Sequence, residues 1–154
     1  MADEIQTGKM TPEMVNAMMS KPLLARIATA NPKTHSPHVV PVWFLWDGKS
    51  IWISTFRSTR KVRELQENPK CSIVVDDAKN GEENEGVIME GDAELVSQPC
   101  ELVQDMATRI YSRYLGPKGV LAPDPQSWIH DPDNLLIRLT PRKVYSWYAA
   151  RKDE

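Results

Sequence analysis

The stretch 54–75, "STFRSTRKVRELQENPKCSIVV", carries the strongest structural signals in the chain. Its first residues complete an apolar alternating run, so a strand is expected to end at Thr55. A short helix with a minimal apolar stripe follows, capped by Thr59 or by the serine before it. Pro69 disfavours helical geometry at the preceding residue, so the helix ends there and a strand over 70–76 begins. The stretch therefore predicts a strand, a tight corner, a helix and a second strand.

The corner at 54–61 is unusually rich in groups that bind anions. It holds three cations and four hydroxyls in eight residues. Backbone N–H groups at the start of a helix can converge there with Arg60 and Lys61, an arrangement that suits a phosphate. The alternative is a solvated helix face made of the cations Arg57, Arg60, Lys61 and Arg63. Spacing alone leaves both interpretations open.

The composition excludes several classes of protein. Of 154 residues, 19 are Lys or Arg and 21 are Asp or Glu, which gives a formal charge of −2. No overall basic field exists to attract nucleic acid or an anionic membrane.

The polar N-terminus is unlike a secretory signal, and no apolar run could span a bilayer, so we expect a cytoplasmic protein. Cys71 and Cys100 lack metal-ligand spacing and are expected to be reduced structural thiols.

Periodicity and turn signals divide the rest of the chain into short elements. Strands are predicted over 23–30, 38–46, 50–55, 70–76, 86–95, 135–141 and 143–149, and helices over 12–20, 60–67 and 100–115. The first three strands are expected to form a meander, because Asp-Gly-Lys at 47–49 signals a hairpin turn. Thr11 is the expected N-cap of the first helix. The proline-rich segment 116–134 lacks periodicity and is expected to be a long surface loop.

Six or seven short antiparallel strands need their edges protected, and closure into a small barrel is the usual solution. We therefore predict a mainly β, α+β protein, an antiparallel β-barrel with added helices, as one domain over residues 1–154. Pro41 cannot donate a ladder hydrogen bond, so its strand is expected to lie at an edge, to be bulged or to face something other than a strand.

The stretch 54–75 resembles the phosphate-binding segment of the pyridoxamine phosphate oxidase-like split-barrel flavoproteins. That segment has Thr, three spacers, Ser or Thr, Arg, Lys, a short helix, then Asn-Pro and a strand. The resemblance extends back through "VVPVWFLWDGKSIWIST" and forward through "GVIMEGDAELV" to "LTPRKVYSW", which covers about residues 22–147. It implies a split β-barrel of the FMN-binding type.

The resemblance also implies a site. Carried over by position, Thr55, Thr59, Arg60 and Lys61 would hold the phosphate and ribityl end of FMN. The residues Val40, Pro41, Val42 and Trp43 would contact the flavin ring, and Trp147 would reach it from the second subunit of a homodimer. No metal ligand set and no catalytic residue emerges, since His35, His38 and His130 are more typical of surface positions.

The sequence departs from the oxidase where that enzyme binds its own substrate. Tyr111 and Arg113 lie in a predicted helix, but the serine segment that follows in the oxidase is missing, and after Trp147 only "YAARKDE" remains. The strand along the flavin has Val39 and Phe44 in place of charged residues, and a ring-contacting glutamine falls at Gly86. Oxidation of pyridoxamine phosphate is therefore not expected.

We expect an FMN-dependent oxidoreductase that transfers hydride to or from a small or planar substrate. A deazaflavin-dependent reductase on the same fold is the first alternative. A non-catalytic flavin- or haem-binding module is the second, with His35 or His38 as the candidate haem ligand. The third, a barrel without a cofactor that acts through protein contacts, does not account for the grouping of Thr55, Thr59, Arg60 and Lys61.

Overall fold

The computed structural model describes residues 4–152. These residues form nine β-strands and four α-helices. The strands are β1 (Ile5–Gly8), β2 (Ala25–Ala30), β3 (Pro37–Val42), β4 (Leu45–Trp46), β5 (Ile51–Phe56), β6 (Lys70–Ala78), β7 (Asn84–Val96), β8 (Asn134–Leu139) and β9 (Lys143–Arg151). The helices are α1 (Pro12–Met19), α2 (Arg60–Glu67), α3 (Cys100–Gly119) and α4 (Pro123–Ile129).

The nine strands form one curled antiparallel sheet. Seven of them follow the order β3-β2-β6-β7-β8-β5-β4, and β1 and β9 lie beside this path. Strand β7 is 13 residues long and joins the two halves. Its first part lies between β6 and β9, and its last residues, Ala93 to Val96, pair with β8. Strand β9 also pairs with β1. This curled sheet with four helices confirms the predicted fold, an α+β antiparallel split barrel.

Alternation along the strands builds the core. In β6, for example, Cys71, Ile73 and Val75 are buried while their neighbours are more exposed. One apolar cluster fills the interior of the curled sheet, with Phe44 and Ile27 among its fully buried side chains. A second cluster lies between α3 and the strands β5 and β8. Burial of these side chains is the main stabilising contribution to the fold.

The predicted meander is wrong at its centre, because the run 38–46 is not one strand. The chain leaves β3 at Val42 and forms a new strand, β4, which pairs with β5. Among residues 4–152, β3 pairs with β2 alone. The break is fixed by Tyr114 on α3, whose hydroxyl binds Phe44 N at 3.1 Å and Leu23 O at 2.7 Å. The predicted hairpin turn does connect β4 and β5, with Gly48 at φ 92°.

The predicted loop 116–134 is also wrong, since most of it is helical. Helix α3 continues to Gly119 through a kink at Gly116, which has φ 80°, and α4 follows. The first turn of a helix tolerates proline, because the backbone N–H that proline lacks would have no partner within the helix at that position. Val120 and Ile129 from this segment are buried against α3. The prolines therefore start helical turns here instead of preventing them.

Four smaller features complete the description of the fold. Strand β1 was not predicted, because its exposed residues carry no alternating pattern. The predicted N-cap of α1 is confirmed, since Thr11 accepts a hydrogen bond from Met14 N at 3.2 Å. Both cysteines are free thiols, and burial raises the pKa of Cys71 to about 12. Within residues 4–152, no helix is long and apolar enough to cross a bilayer.

Candidate functional site

The corner predicted to bind an anion is a tight turn between β5 and α2. The chain leaves β5 at Phe56, whose carbonyl accepts hydrogen bonds from Thr59 N at 3.1 Å and Thr59 Oγ1 at 2.8 Å. Arg57 N donates to Asp133 O at 2.8 Å, which ties the turn to the start of β8. We call residues 55–61 the α2 corner. Backbone hydrogen bonds therefore fix the position from which Arg60 and Lys61 project.

The first turn of α2 lacks the groups that normally satisfy a helix N-terminus. Thr59 occupies the N-cap position but makes no side-chain cap, because its hydroxyl donates to Phe56 O. The first turn has no acidic residue and contains Arg60 and Lys61 instead. Cations at this end oppose the helix dipole and are unfavourable, whereas an anion is favourable there. A bound anion would reverse this unfavourable arrangement.

Lys61 is the group whose environment calls most clearly for an anion. Its side chain is half-buried, and no residue in the described range 4–152 forms a hydrogen bond or ion pair with it. Burial lowers the pKa of Lys61 below its ordinary value. A partly desolvated ammonium group without a counter-charge is costly, and a phosphate would supply that charge.

Arg60 differs from Lys61, because it already has a partner inside the chain. Its Nε donates to Glu64 Oε2 at 3.2 Å, and Glu64, which is 6% exposed, also accepts from Thr29 Oγ1 at 2.8 Å. Burial alone would raise the pKa of Glu64, but the bonds from Thr29 and Arg60 outweigh it, so the pKa lies below its ordinary value. The spacing of Arg60 and Glu64, i and i+4 on a helix, could have revealed this pair in the sequence.

The two interpretations of the corner apply to different residues. Arg57 and Arg63 are exposed, as expected for a solvated helix face. Lys61 is half-buried and Thr55 is only 5% exposed, so these two residues lie deeper. Thr55, Thr59, Arg60 and Lys61 therefore lie at the same corner between β5 and α2, with Thr55 buried and Arg60 exposed.

Strand β3 offers a free edge. It pairs with β2 on one side, and within residues 4–152 no strand pairs with its other side. Of the three alternatives expected for Pro41, the structure shows the edge position. Val40 and Val42 pack towards the core, whereas Val39 is 64% exposed on the opposite face with Pro41. Unpaired backbone groups on such an edge can bind a ligand or another chain.

Trp43 lies away from this edge. Its indole stacks on Tyr114 at a centroid distance of 4.7 Å and an interplanar angle of 6°. It also meets Tyr111 edge-on at 5.9 Å. The side chain thus belongs to the second apolar cluster. The indole of Trp43 is therefore engaged by Tyr111 and Tyr114. The predicted contact between Trp43 and a flavin ring would have to be made by its backbone.

Trp147 lies on the outer face of the sheet, directly over Gly86. The two residues are cross-strand partners in β9 and β7, and a Cβ at position 86 would lie 2.1 Å from the indole. The indole nitrogen of Trp147 donates to Asn84 Oδ1 at 3.2 Å. Trp147 is 36% exposed. It therefore occupies the position where a longer side chain at residue 86 would lie.

The helix residues compared with the oxidase's substrate site are used internally. Tyr111 is 7% exposed, and its hydroxyl bonds Ser54 Oγ at 3.2 Å. Arg113 Nη2 donates to the carbonyls of Met19 and Lys21 at 3.3 and 2.8 Å. Its guanidinium also lies over the Phe44 ring, 5.1 Å from the centroid. Both side chains are therefore held by contacts within the chain, although the buried Nε of Arg113 has no hydrogen-bond partner among residues 4–152.

One groove borders α2 at Arg60, and a second lies beyond the C-terminal end of this helix, at Asn68 and Lys70. The first, of about 440 Å³, lies between the 31–36 turn and α2 and is lined by Arg60 and Glu64. The other, of about 850 Å³, opens on the outer sheet face and is lined by Thr29, Ala28 and residues of β6, β7 and β9. Lys61 is not among the residues that line these grooves. Neither of these two grooves therefore encloses a ligand against Lys61.

The histidines do not form a metal site. His35, with φ 59°, and His130 are exposed, and His38 is half-buried on β3. In the described part of the chain, no three His, Cys, Asp or Glu side chains are grouped closely enough to hold a metal ion.

A comparison with known protein families identifies the family to which this chain belongs. The family model described as pyridoxamine 5'-phosphate oxidase matches residues 10–148. The chain belongs to this family. No curated protein matches the sequence.

Several solved structures of the family's fold are similar to this chain. The conserved hypothetical protein Rv2991 from Mycobacterium tuberculosis is 24% identical, with a TM-score of 0.76, over 96% of this chain and 88% of that one. An F420 reductase is also 24% identical, with a TM-score of 0.65, over 84% of this chain and 94% of that one. The haem storage protein HutZ from Vibrio cholerae is 19% identical, with a TM-score of 0.68, over 89% of this chain and 94% of that one. At these identities the likeness concerns the fold.

Proposed function

We propose that this protein is an FMN-dependent oxidoreductase that holds the cofactor's phosphate at the α2 corner. The observation that carries the proposal is Lys61, a half-buried cation without a counter-charge in the described range 4–152, placed in the first turn of a helix that lacks a side-chain cap. Membership of the pyridoxamine 5'-phosphate oxidase family supports the same assignment. A phosphate dianion satisfies both the ammonium group and the free N–H groups.

The protein's part in such a reaction is binding and orientation. FMN, when bound, supplies hydride-transfer chemistry, and the chain positions the cofactor and excludes water. Lys61, Arg60 and the backbone N–H groups of the first turn would hold the phosphate, with Thr55 and Thr59 beside them. The free edge of β3 at Val40, Pro41 and Val42 would offer backbone contacts to the ring. The substrate would be a small or planar molecule at the ring face, and Tyr111 and Arg113 would not bind it.

We further propose that the site is completed by a second copy of the chain. Outward-facing residues in register on β3, β6, β7 and β9 form an apolar surface: Val39, Pro41, Val74, Ile88, Tyr145 and Trp147. Val39, Tyr145 and Trp147 are 64%, 52% and 36% exposed. In this register Arg26 on β2 lies between Pro41 and Val74 and forms an ion pair with Asp76, so the apolar residues surround one charged pair. Exposed apolar residues of this kind favour association. Light scattering is expected to give a dimer at micromolar concentration, and a monomer would contradict this part of the proposal.

The cofactor assignment is tested by a paired titration. Arg60→Ala combined with Lys61→Ala should weaken FMN binding about tenfold or more, because charge-assisted hydrogen bonds to the phosphate are lost. The fluorescence change of FMN on titration measures this, with the midpoint of urea unfolding as the check on folding. The exposed pair Arg57→Ala and Arg63→Ala removes the same formal charge and is the matched control. Equal FMN affinity in the first variant and the wild type would refute the corner as the phosphate site.

A deazaflavin coenzyme is the second candidate, favoured by the fold shared with an F420 reductase. It also presents a phosphate and a tricyclic ring to the corner. Titration of the same protein with FMN and with the deazaflavin separates the two, since the native cofactor is expected to bind more tightly. Uptake of deazaflavin alone would replace FMN in the proposal.

A further inference from the structure

Glu64 is a carboxylate in a place where a charge is costly. It is 6% exposed and lies on the buried side of α2, one helical turn after Arg60. Burying a carboxylate requires compensating hydrogen bonds, and an apolar residue would fill the same volume at lower cost. Packing alone therefore does not account for this side chain.

Both oxygens of Glu64 are occupied, each by a different element. Thr29 Oγ1, on β2, donates to Oε1 at 2.8 Å, and Arg60 Nε donates to Oε2 at 3.2 Å. The bond to the sheet prevents the carboxylate from rotating. Arg60 is consequently tied to the body of the protein through Glu64, although its own side chain is 45% exposed.

The bond from Nε leaves most donors of Arg60 unused. A guanidinium group carries five N–H donors in one plane, on edges that point in different directions. With the Nε edge directed at Glu64, the terminal Nη1 and Nη2 groups can bind a second acceptor. A planar donor fixed in this way binds a phosphate with little further loss of side-chain entropy.

We propose that Glu64 is a positioning residue for the anion site, holding Arg60 so that its terminal donors face the cofactor's phosphate. The inference rests on the proposed function of the α2 corner. It deepens that function by naming a residue that acts through Arg60 and does not itself touch the ligand.

Two physical effects of Glu64 have opposite signs, so an experiment can decide between them. As a fixed anchor, Glu64 strengthens phosphate binding by ordering Arg60. As a negative charge beside the site, it repels the phosphate and weakens binding. Replacement by glutamine removes the charge and keeps the shape. Weaker binding then indicates positioning, and tighter binding indicates repulsion.

The test compares Glu64→Gln with the wild type in titrations with FMN and with riboflavin, which lacks the phosphate. FMN affinity should fall about tenfold, the scale of one charge-assisted hydrogen bond, while riboflavin affinity stays the same. Glu67→Gln is the matched control, because Glu67 is an exposed glutamate on the same helix. It should leave both affinities unchanged.

A double-mutant cycle shows whether Glu64 acts through Arg60. In an Arg60→Ala background, adding Glu64→Gln should cause no further loss of FMN affinity, since the group to be positioned is gone. Unchanged or tighter FMN binding by Glu64→Gln would overturn the inference, as would an equal loss for riboflavin.

If Glu64→Gln proves unstable in urea unfolding, Arg60→Lys tests the same contact, because it keeps the charge and loses the guanidinium fork. It is likewise expected to weaken FMN and not riboflavin.

Inorganic phosphate, titrated in parallel by thermal shift, separates this inference from the proposed function. A wild type that ignores FMN but is stabilised by phosphate would refute the flavin assignment. In that case, a smaller shift in Glu64→Gln would still support the positioning role, and an equal shift would refute it.

Discussion

The α2 corner and the α3 surface next to Trp43 carry similar residues but offer different chemistry. Each combines arginine, hydroxyl groups and a nearby aromatic or apolar wall. At the α3 surface, Arg113, Tyr111 and Tyr114 all make hydrogen bonds with the chain itself. At the α2 corner, Lys61 has no such partner among residues 4–152. A polar side chain is available to a ligand where hydrogen-bond donors remain unused, as they do within residues 4–152 on Lys61 and on the terminal groups of Arg60.

The contrast between the two regions predicts its largest change in stability for Arg113→Ala. The change removes hydrogen bonds to the carbonyls of Met19 and Lys21 and the contact over Phe44. We expect a loss of about 3 kcal/mol in the free energy of unfolding, from charged hydrogen bonds and a cation–π contact. Urea denaturation measures it. FMN affinity, measured under folding conditions, should stay the same.

The control for this prediction is Arg109→Ala, an exposed arginine on the same helix whose recorded partner is the weak acceptor Met106 Sδ. It should change the free energy of unfolding little. A loss of FMN or substrate binding in Arg113→Ala without a loss of stability would contradict the structural role assigned to Arg113.

A smaller effect is expected from Tyr114→Phe. The hydroxyl holds the break between β3 and β4 by bonding Phe44 N and Leu23 O, and its removal leaves both groups without that partner. The cost should be about 2 kcal/mol in the free energy of unfolding. Tyr111→Phe, which loses one longer bond to Ser54, should cost less. If the two variants were equally stable, the break between the strands would need another cause.

The smallest effect has the opposite sign and concerns the α2 corner. Lys61→Met removes a cation from the first turn of α2, where it opposes the helix dipole, and replaces it with an apolar side chain. The ligand-free protein should gain about 0.5 to 1 kcal/mol in the free energy of unfolding, while FMN binding weakens. Thermal melts with and without FMN measure both. A ligand-free protein that becomes less stable would show that Lys61 has a structural partner.

Local rules predicted the parts of the fold that depend on neighbouring residues. The stop of helix α2 before Pro69 and the β4–β5 hairpin follow from proline geometry and turn residues, and an edge position was one of three alternatives for Pro41. The predicted side-chain cap of α2 is wrong, because the Thr59 hydroxyl donates to Phe56 O instead. The split of the run 38–46 could not be predicted in this way, because Tyr114 lies far along the chain. Helix α4 could not be predicted, because its proline-rich segment lacks helical periodicity, and proline is tolerated in the first turn where Pro123 lies.

The candidate site shows the same difference between groupings of neighbouring residues and contacts between distant elements. The grouping of Thr55, Thr59, Arg60 and Lys61 is local and was predicted. The contact of Thr29 with Glu64 joins β2 to α2 and leaves no sequence pattern. The side of the chain to which Trp43 turns depends on α3, a distant element. Sequence thus indicated which groups are present, while the fold determines which of them remain free.

The contact between Gly86 and Trp147 has a consequence for how this sequence can drift. Any replacement of glycine adds at least a Cβ, which would lie 2.1 Å from the indole. Position 86 therefore accepts a side chain only if the indole of Trp147, which is 36% exposed, moves out of that space. We expect substitutions at residue 86 to be tolerated better when a smaller residue replaces Trp147, so the effects of changes at the two positions should be coupled.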